Sequence, residues 1–278
     1  MKSRVLTAIG ISPIVLGAFF CVSQWPIILL GLFCAVVGTL ELEKLLGQRV
    51  WPGAVVFSSL LMWTYFHLGS SSLPPVVNSS QSSVLGSLSL LGLISGVVST
   101  YAISKSVKGA SLYLCSLWYI TPLWCLIYLH SLVRSHDAWH LANPMLMAVV
   151  PLWAGDTIAI FAGKLFGKRL LAPSISPKKT VEGAIGNLLA CIGMAYLLAA
   201  PLGYPTFIGL GCGCLAGIFG QMGDLFESYV KRQAGVKDSG YLLPGHGGLL
   251  DRLDSIFFTA PLVMTVVMLM GFPLGLNG

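Results

Sequence analysis

The sequence predicts an all-α polytopic membrane protein with about nine transmembrane helices, its N-terminus cytoplasmic and its C-terminus outside. Three observations carry that expectation. Apolar residues make up 55% of the chain and charged residues 9%, with a mean hydropathy of +0.84, which leaves too little polar surface for a soluble domain. The apolar residues come in continuous runs of about 20, the helix length that crosses a bilayer core, and lack the alternation of barrel strands. When successive loops are assigned to alternate sides, only Arg134 of the 16 Lys and Arg residues falls on the outer side, as the positive-inside rule requires.

In order, the runs are read as spans 5–22, 26–45, 51–68, 84–104, 110–133, 143–163, 183–203, 206–226 and 255–275. Spans one to four form an N-terminal region, 1–110. Spans five to nine form a C-terminal catalytic region, 111–278, that holds the signature 224–255. The first run has the basic start and apolar core of a signal sequence, but no small-x-small cleavage site precedes Ser23-Gln24-Trp25, so it is read as an uncleaved span. "LELEKLL" (Leu40–Leu46) reads as the second helix reaching the interface, with no role assigned to Glu41 or Glu43. The Ser-rich stretch Ser70–Ser83 is a polar loop. His130, His136 and His140 accompany Arg134 in what reads as an interfacial loop rather than a metal site. In "PSISPKKTVEG", Ser176 reads as the N-cap and Pro177 as the first helical residue of span seven. Lys178 and Lys179 would then oppose the positive helix end unless an anion occupied it; anchoring at the interface explains the same two lysines.

The net charge of +6 follows from this loop asymmetry, so nucleic acid is not expected as a partner. The seven cysteines all sit in apolar runs without zinc-site spacing and read as small buried hydrophobes. No P-loop pattern and no GxSxG nucleophile occurs.

Seven of the ten acids lie between Asp156 and Asp254, and Asp156 and Asp224 interrupt predicted spans. A carboxylate at membrane depth costs about 2.5–3.5 kcal/mol, which points to paired or metal-bound roles; interfacial pairing with Lys164 or Lys231 is the plainer alternative. Eight charged residues then crowd between Glu227 and Asp254. Asp251 and Asp254 are three apart and share a face if helical, although Asp254 or Ser255 also reads as an ordinary N-cap. Carboxylates beside several Lys and Arg residues make an oxygen-rich site suited to Mg²⁺ with phosphate, and not to zinc or copper. Glycines 245, 247 and 248 allow tight turns around His246, which reads more as a polar loop residue than as an acid or base.

The run Ser228-Tyr-Val-Lys231-Arg232, then Lys237-Asp238-Ser-Gly, Pro244-Gly-His246-Gly-Gly and Asp251-Arg252-Leu-Asp254 resembles the signature of the phosphatidate cytidylyltransferase (CDP-diacylglycerol synthase) family, bacterial type. Upstream, "GDTIAIFAGKLFGKRLLAPSISPKKTVEG" is similar to a second block of that family, so the resemblance covers about 150–262. Ile158, Ile160 and Val181 depart from it, standing where the family more often shows Gly, Tyr and Trp. The resemblance implies a Mg²⁺-dependent nucleotidyltransferase of phospholipid biosynthesis that condenses CTP with phosphatidic acid to give CDP-diacylglycerol and pyrophosphate. It implies metal binding by Asp224, Asp251 and Asp254, with Lys231 joining them in catalysis. Substrates would be held by Ser176, Lys178, Lys179, Thr180, Ser228, Arg232, Lys237, Asp238 and Arg252. The implied setting is the cytoplasmic side of the bacterial inner membrane, within the lipid bilayer, with a homodimer left open.

Two rivals come from other classes. A transporter would place its charges near the midplane and show an internal repeat, and neither is found here. A CTP-dependent lipid kinase shares the need for CTP and Mg²⁺ but releases CDP instead of pyrophosphate.

Overall fold

An apolar run removed from water satisfies its peptide groups by closing its hydrogen bonds within a helix. The computed structural model describes residues 13–21, 23–47, 110–132, 143–241 and 247–269. Its elements are α1 (13–20), α2 (Trp25–Leu46), α3 (Ala110–Ser131), α4 (Met145–Phe166), strands β1 (Leu170–Ala172) and β2 (Ser176–Thr180), α5 (Val181–Ala199), α6 (Thr206–Gln233) and α7 (Leu250–Leu269).

The expectation of about nine spans is overturned. Among the described residues there are seven helices, and four of them, α2, α4, α5 and α6, are long and apolar enough to cross a membrane. With the span count falls the alternation of loops from which N-terminus-in, C-terminus-out was read. The physical reason is that hydropathy cannot tell a helix facing lipid from one facing protein. The C-terminal half of α3, including Tyr119, Trp124 and Leu129, is buried among other helices, and α7 opens on Asp251, Arg252 and Asp254. The expected spans 51–68 and 84–104, the Ser-rich loop between them, Arg134, His136, His140 and His246 lie outside the described residues.

The chain is also not all helical. β1 and β2 form an antiparallel hairpin that pairs Leu170 with Thr180 and Ala172 with Ser176, with an irregularity in register between them. Ser176 and Pro177 are therefore strand residues and not the head of a span. The helix starts five residues beyond Ser176, where Thr180 is the N-cap and its Oγ1 accepts the Gly183 N–H at 3.1 Å. A helix beginning at Pro177 would put two lysines against its positive end. Starting at Val181 places Glu182 in the first turn instead, where a negative charge is favoured. The same Glu182 carboxylate accepts the N–H groups of Lys168 at 3.0 Å and Arg169 at 3.3 Å, which fastens the hairpin to the helix.

α4 packs mainly on α5, α5 on α6 and α6 on α7, while α3 bridges α7 and α2. Tyr119 of α3 meets Phe257 of α7 edge-on, with ring centroids 5.1 Å apart, and Leu42, Met145, Met147 and Met264 are fully buried in the same core. Ile160, Phe161, Leu189 and Leu197 are exposed on α4 and α5, as expected of side chains turned toward lipid. α5 and α6 approach unusually closely. A Cβ on Gly213 would stand 2.5 Å from Ile192 Cα, and one on Gly217 would stand 2.6 Å from Leu188 Cδ1. Small residues spaced by four let membrane helices come together in this way. α6 runs 28 residues, about 42 Å, well past the end expected for span eight. Its last turns carry Asp224 to Arg232 out of the apolar region as a continuous helical face.

Candidate functional site

On that extension, positions 224, 227, 228 and 231 share one face because they are three or four residues apart. Lys231 Nζ donates to Glu227 Oε2 at 2.7 Å on the same helix and to Asp251 Oδ1 at 2.6 Å on α7. All three side chains are largely buried, and among the described residues the second Glu227 oxygen, Oε1, has no hydrogen-bond partner. Asp251 Oδ2 also accepts the N–H groups of Gly248 at 2.8 Å and Ser239 at 3.1 Å. Asp251 heads α7, outside the four candidate spans. Burial pushes its carboxyl up, but the Lys231 bond and charge and the two backbone donors outweigh this and hold it below the usual carboxylate range.

A second pair faces the first. Lys179 of β2 forms an ion pair with Asp224 of α6, and Ser228 Oγ stands 3.5 Å from Asp224 Oδ1. α6 and α7 cross at Gly223, where an added Cβ would run into the Asp254 carbonyl; this brings the Asp224 and Asp254 carboxylates within electrostatic reach of each other. Asp254 is not the helix cap. α7 begins at Leu250, and Asp254 Oδ1 accepts from the N–H and hydroxyl of Ser255, at 2.7 and 3.2 Å. Asp156 of α4 reaches the same region, accepting from Asn187 Nδ2 at 3.1 Å and feeling the charges of Asp224 and Lys179. Its partner is thus Asn187 and not Lys164.

The remaining sequence-predicted residues surround this centre. Arg232 donates from Nε to the Ile175 carbonyl at 3.2 Å and from Nη1 to that of Val236 at 2.9 Å, which straps the hairpin turn to the end of α6. Lys178, Lys237, Asp238 and Arg252 are exposed at the rim. Ser176 lies in the hairpin, and Thr180 spends its hydroxyl on the α5 cap. Among the described residues no three His, Cys, Asp or Glu side chains are arranged to hold a metal ion by themselves.

Two participants, Glu227 and Glu41, were not singled out from the sequence as site residues, whereas Asp156 was read there as a paired or metal-bound acid. Glu227 was legible only as the first acid of the charged run that ends at Asp254. Glu41 of α2 carried no local signal at all, yet its carboxylate accepts from Ser239 Oγ at 3.0 Å and from the Leu249 and Leu250 N–H groups at 2.9 and 3.0 Å.

The profile described as the cytidylyltransferase family matches residues 2–270. The chain is 47% identical over 121 residues to a phosphatidate cytidylyltransferase of Staphylococcus aureus (strain COL), covering 43% of this chain and 46% of that one. A phosphatidate cytidylyltransferase of Bacillus subtilis (strain 168) is 45% identical over 131 residues, 46% of this chain and 48% of its own. Each of these two matches thus takes in about half of the relative's length. The one from Pseudomonas aeruginosa PAO1 is 32% identical over 294 aligned positions, 98% of both chains.

Proposed function

The chain belongs to the cytidylyltransferase family, and on that premise we propose that it condenses CTP with phosphatidic acid, giving CDP-diacylglycerol and pyrophosphate. The observation that carries this reading is the facing pair of lysine–carboxylate contacts, Lys179–Asp224 and Lys231–Asp251, at one end of α6. An arriving phosphate finds two ammonium groups already oriented, and the carboxylates it displaces become free for a cation. Two polyanionic substrates need that alternation of charge, because phosphoryl-type transfer is mostly positioning and charge neutralisation.

In the reaction a phosphate oxygen of the lipid forms a bond to the α-phosphorus of CTP. The bond from that phosphorus to the oxygen bridging to the β-phosphate breaks, and pyrophosphate leaves with the electron pair. The lipid supplies the nucleophile, so no Ser or Cys of the chain is required. Lys179 and Lys231 hold phosphate oxygens, with Ser228 as a further donor. Lys178, Arg232, Lys237, Asp238 and Arg252 line the approach of the nucleotide, while Ser176 and Thr180 shape the hairpin and the α5 cap. Asp224, Asp251 and Asp254 would hold Mg²⁺, which when bound supplies Lewis-acid neutralisation of the phosphate oxygens. One or two carboxylates completed by phosphate oxygens and water satisfy that ion, so three converging protein ligands are not needed. Glu227, bonded to Lys231 through Oε2, offers its other oxygen to the same donor set.

The protein is an integral membrane protein by its apolar helices. The reading assigns the reaction to the cytoplasmic face of a bacterial inner membrane, where CTP is available and the lipid keeps its chains in the bilayer. The test uses purified protein in detergent with phosphatidic acid, Mg²⁺ and CTP labelled at the α or γ phosphorus. Label from the α position is expected in the lipid fraction, with γ label leaving as pyrophosphate. Entry of γ label into lipid would instead establish a CTP-dependent kinase.

A further inference from the structure

Glu41 has no part in the chemistry above, yet it is 4% exposed near the end of an apolar helix. A carboxylate in such a place is costly unless hydrogen bonds replace its water. Glu41 finds three, all from residues about 200 positions away. Oε1 accepts the Leu249 N–H at 2.9 Å, and Oε2 accepts the Leu250 N–H at 3.0 Å and the Ser239 hydroxyl at 3.0 Å. Leu249 and Leu250 stand at the head of α7, where N–H groups lack intrahelical acceptors and negative charge is favoured. α2 therefore supplies the cap of α7. The fit is close: a Cβ on Gly240 would stand 2.5 Å from Oε1, and one on Gly248 2.6 Å from Oε2.

The residues that Glu41 grips are the ones that hold Asp251, or their neighbours. Ser239 gives its hydroxyl to Glu41 and its N–H to Asp251; Gly248 gives its N–H to Asp251, and the next residue gives its N–H to Glu41. We propose that Glu41 is a positioning residue for cytidylyl transfer. By clamping Ser239 and the first turn of α7, it sets the place of the Asp251 carboxylate and, through it, of Lys231. The inference rests on the function proposed above and deepens it, by making the N-terminal helix α2 part of the catalytic geometry.

The test is Glu41→Gln in the full chain in detergent. Glutamine keeps the size and can still contact Ser239, but it presents an NH₂ group in place of one acceptor. Backbone exchange at Leu249 and Leu250 is expected to quicken about tenfold, the effect of one lost charge-assisted bond, with the middle of α7 (256–264) unchanged. The kcat is expected to fall about tenfold or more while KM for CTP and for phosphatidic acid stays within about twofold, because the group displaced acts in the transition state. Ser239→Ala added to Glu41→Gln is expected to cost far less than Ser239→Ala alone. Unchanged kcat, a loss expressed only in KM, or additive losses would each overturn the inference. If Glu41→Gln does not fold, Glu41→Asp and Ser239→Ala are read by the same measures. If the unaltered protein moves no α label into lipid, the proposed function fails by itself, and exchange at Leu249 and Leu250 still decides whether the clamp exists.

Discussion

Lys231 Nζ lies 2.6 Å from Asp251 Oδ1 and 2.7 Å from Glu227 Oε2, so a single ammonium group joins α6 to α7 and serves two carboxylates. Among the described residues the other Glu227 oxygen, Oε1, has no hydrogen-bond partner.

Asp251→Asn removes the charge at the centre of this arrangement and keeps one acceptor oxygen, so either Lys231 or the two backbone donors lose their partner. Turnover is expected to fall about 10²–10³-fold, the scale of losing one preorganised charge-stabilising group. Membrane insertion and elution from a sizing column are expected to match the unaltered chain. Near-normal turnover would remove Asp251 from the reaction.

Lys231→Met leaves Glu227 and Asp251 facing each other in a buried setting. Removing one partner of a buried pair costs about 3–5 kcal/mol, so a large fall in thermal midpoint is expected. Adding Glu227→Gln is expected to recover much of that stability and none of the activity. Recovery of both would mean that Lys231 is structural only.

The pH dependence of stability carries a signature of Asp251. Its carboxyl lies below the usual carboxylate range, so it binds fewer protons when folded than when unfolded. Its contribution is then complete above the ordinary Asp value of about 4 and is lost as pH falls through the lower folded value. Asp251→Asn is expected to lower the thermal midpoint at neutral pH and to flatten its decline on the acid side. An identical acid limb in both proteins would count against the strong pairing.

Arg232→Ala cuts the two bonds from the end of α6 to the Ile175 and Val236 carbonyls. The hairpin turn is then expected to open more often, with limited proteolysis near 172–176 several-fold faster than in the unaltered protein. Arg232→Lys can make one such bond but not two diverging ones and is expected to fall between. Equal cleavage rates would show that the hairpin is held by Lys179 and Glu182 alone.

Gly213→Leu forces a side chain into the contact with Ile192. Overpacking at backbone distance is expected to cost about 1–3 kcal/mol or more, read as a lowered thermal midpoint, whereas leucine at Gly193, which has nothing within 4 Å, is expected to change little. Tolerance at both positions would deny the close approach of α5 and α6.

Much of the site was legible along the chain because its parts are local. Asp156 and Asp224 stood out because apolar surroundings make carboxylates costly, whereas the face that Asp224 shares with Ser228 and Lys231 emerged only with the extension of α6 beyond the expected end of span eight. The resemblance carried by Lys237-Asp238 and Asp251-Arg252-Leu-Asp254 pointed to the family that the profile over residues 2–270 then showed. The nine spans and the helical start at Pro177 failed for a different reason. Hydropathy measures how apolar a run is and not what it faces, and a cap is chosen by competing bonds that no single residue declares.

By itself, the sequence determined that this is a membrane protein and that its charged residues gather in the C-terminal region. Only the tertiary structure decided that Lys179 meets Asp224, that Lys231 reaches Asp251, and that Glu41 caps a helix beginning 209 residues later. Helical periodicity relates residues one or two turns apart. Contacts between distant segments are set by where helices cross, and those crossings depend on packing along whole faces, such as the glycines of α6 against α5.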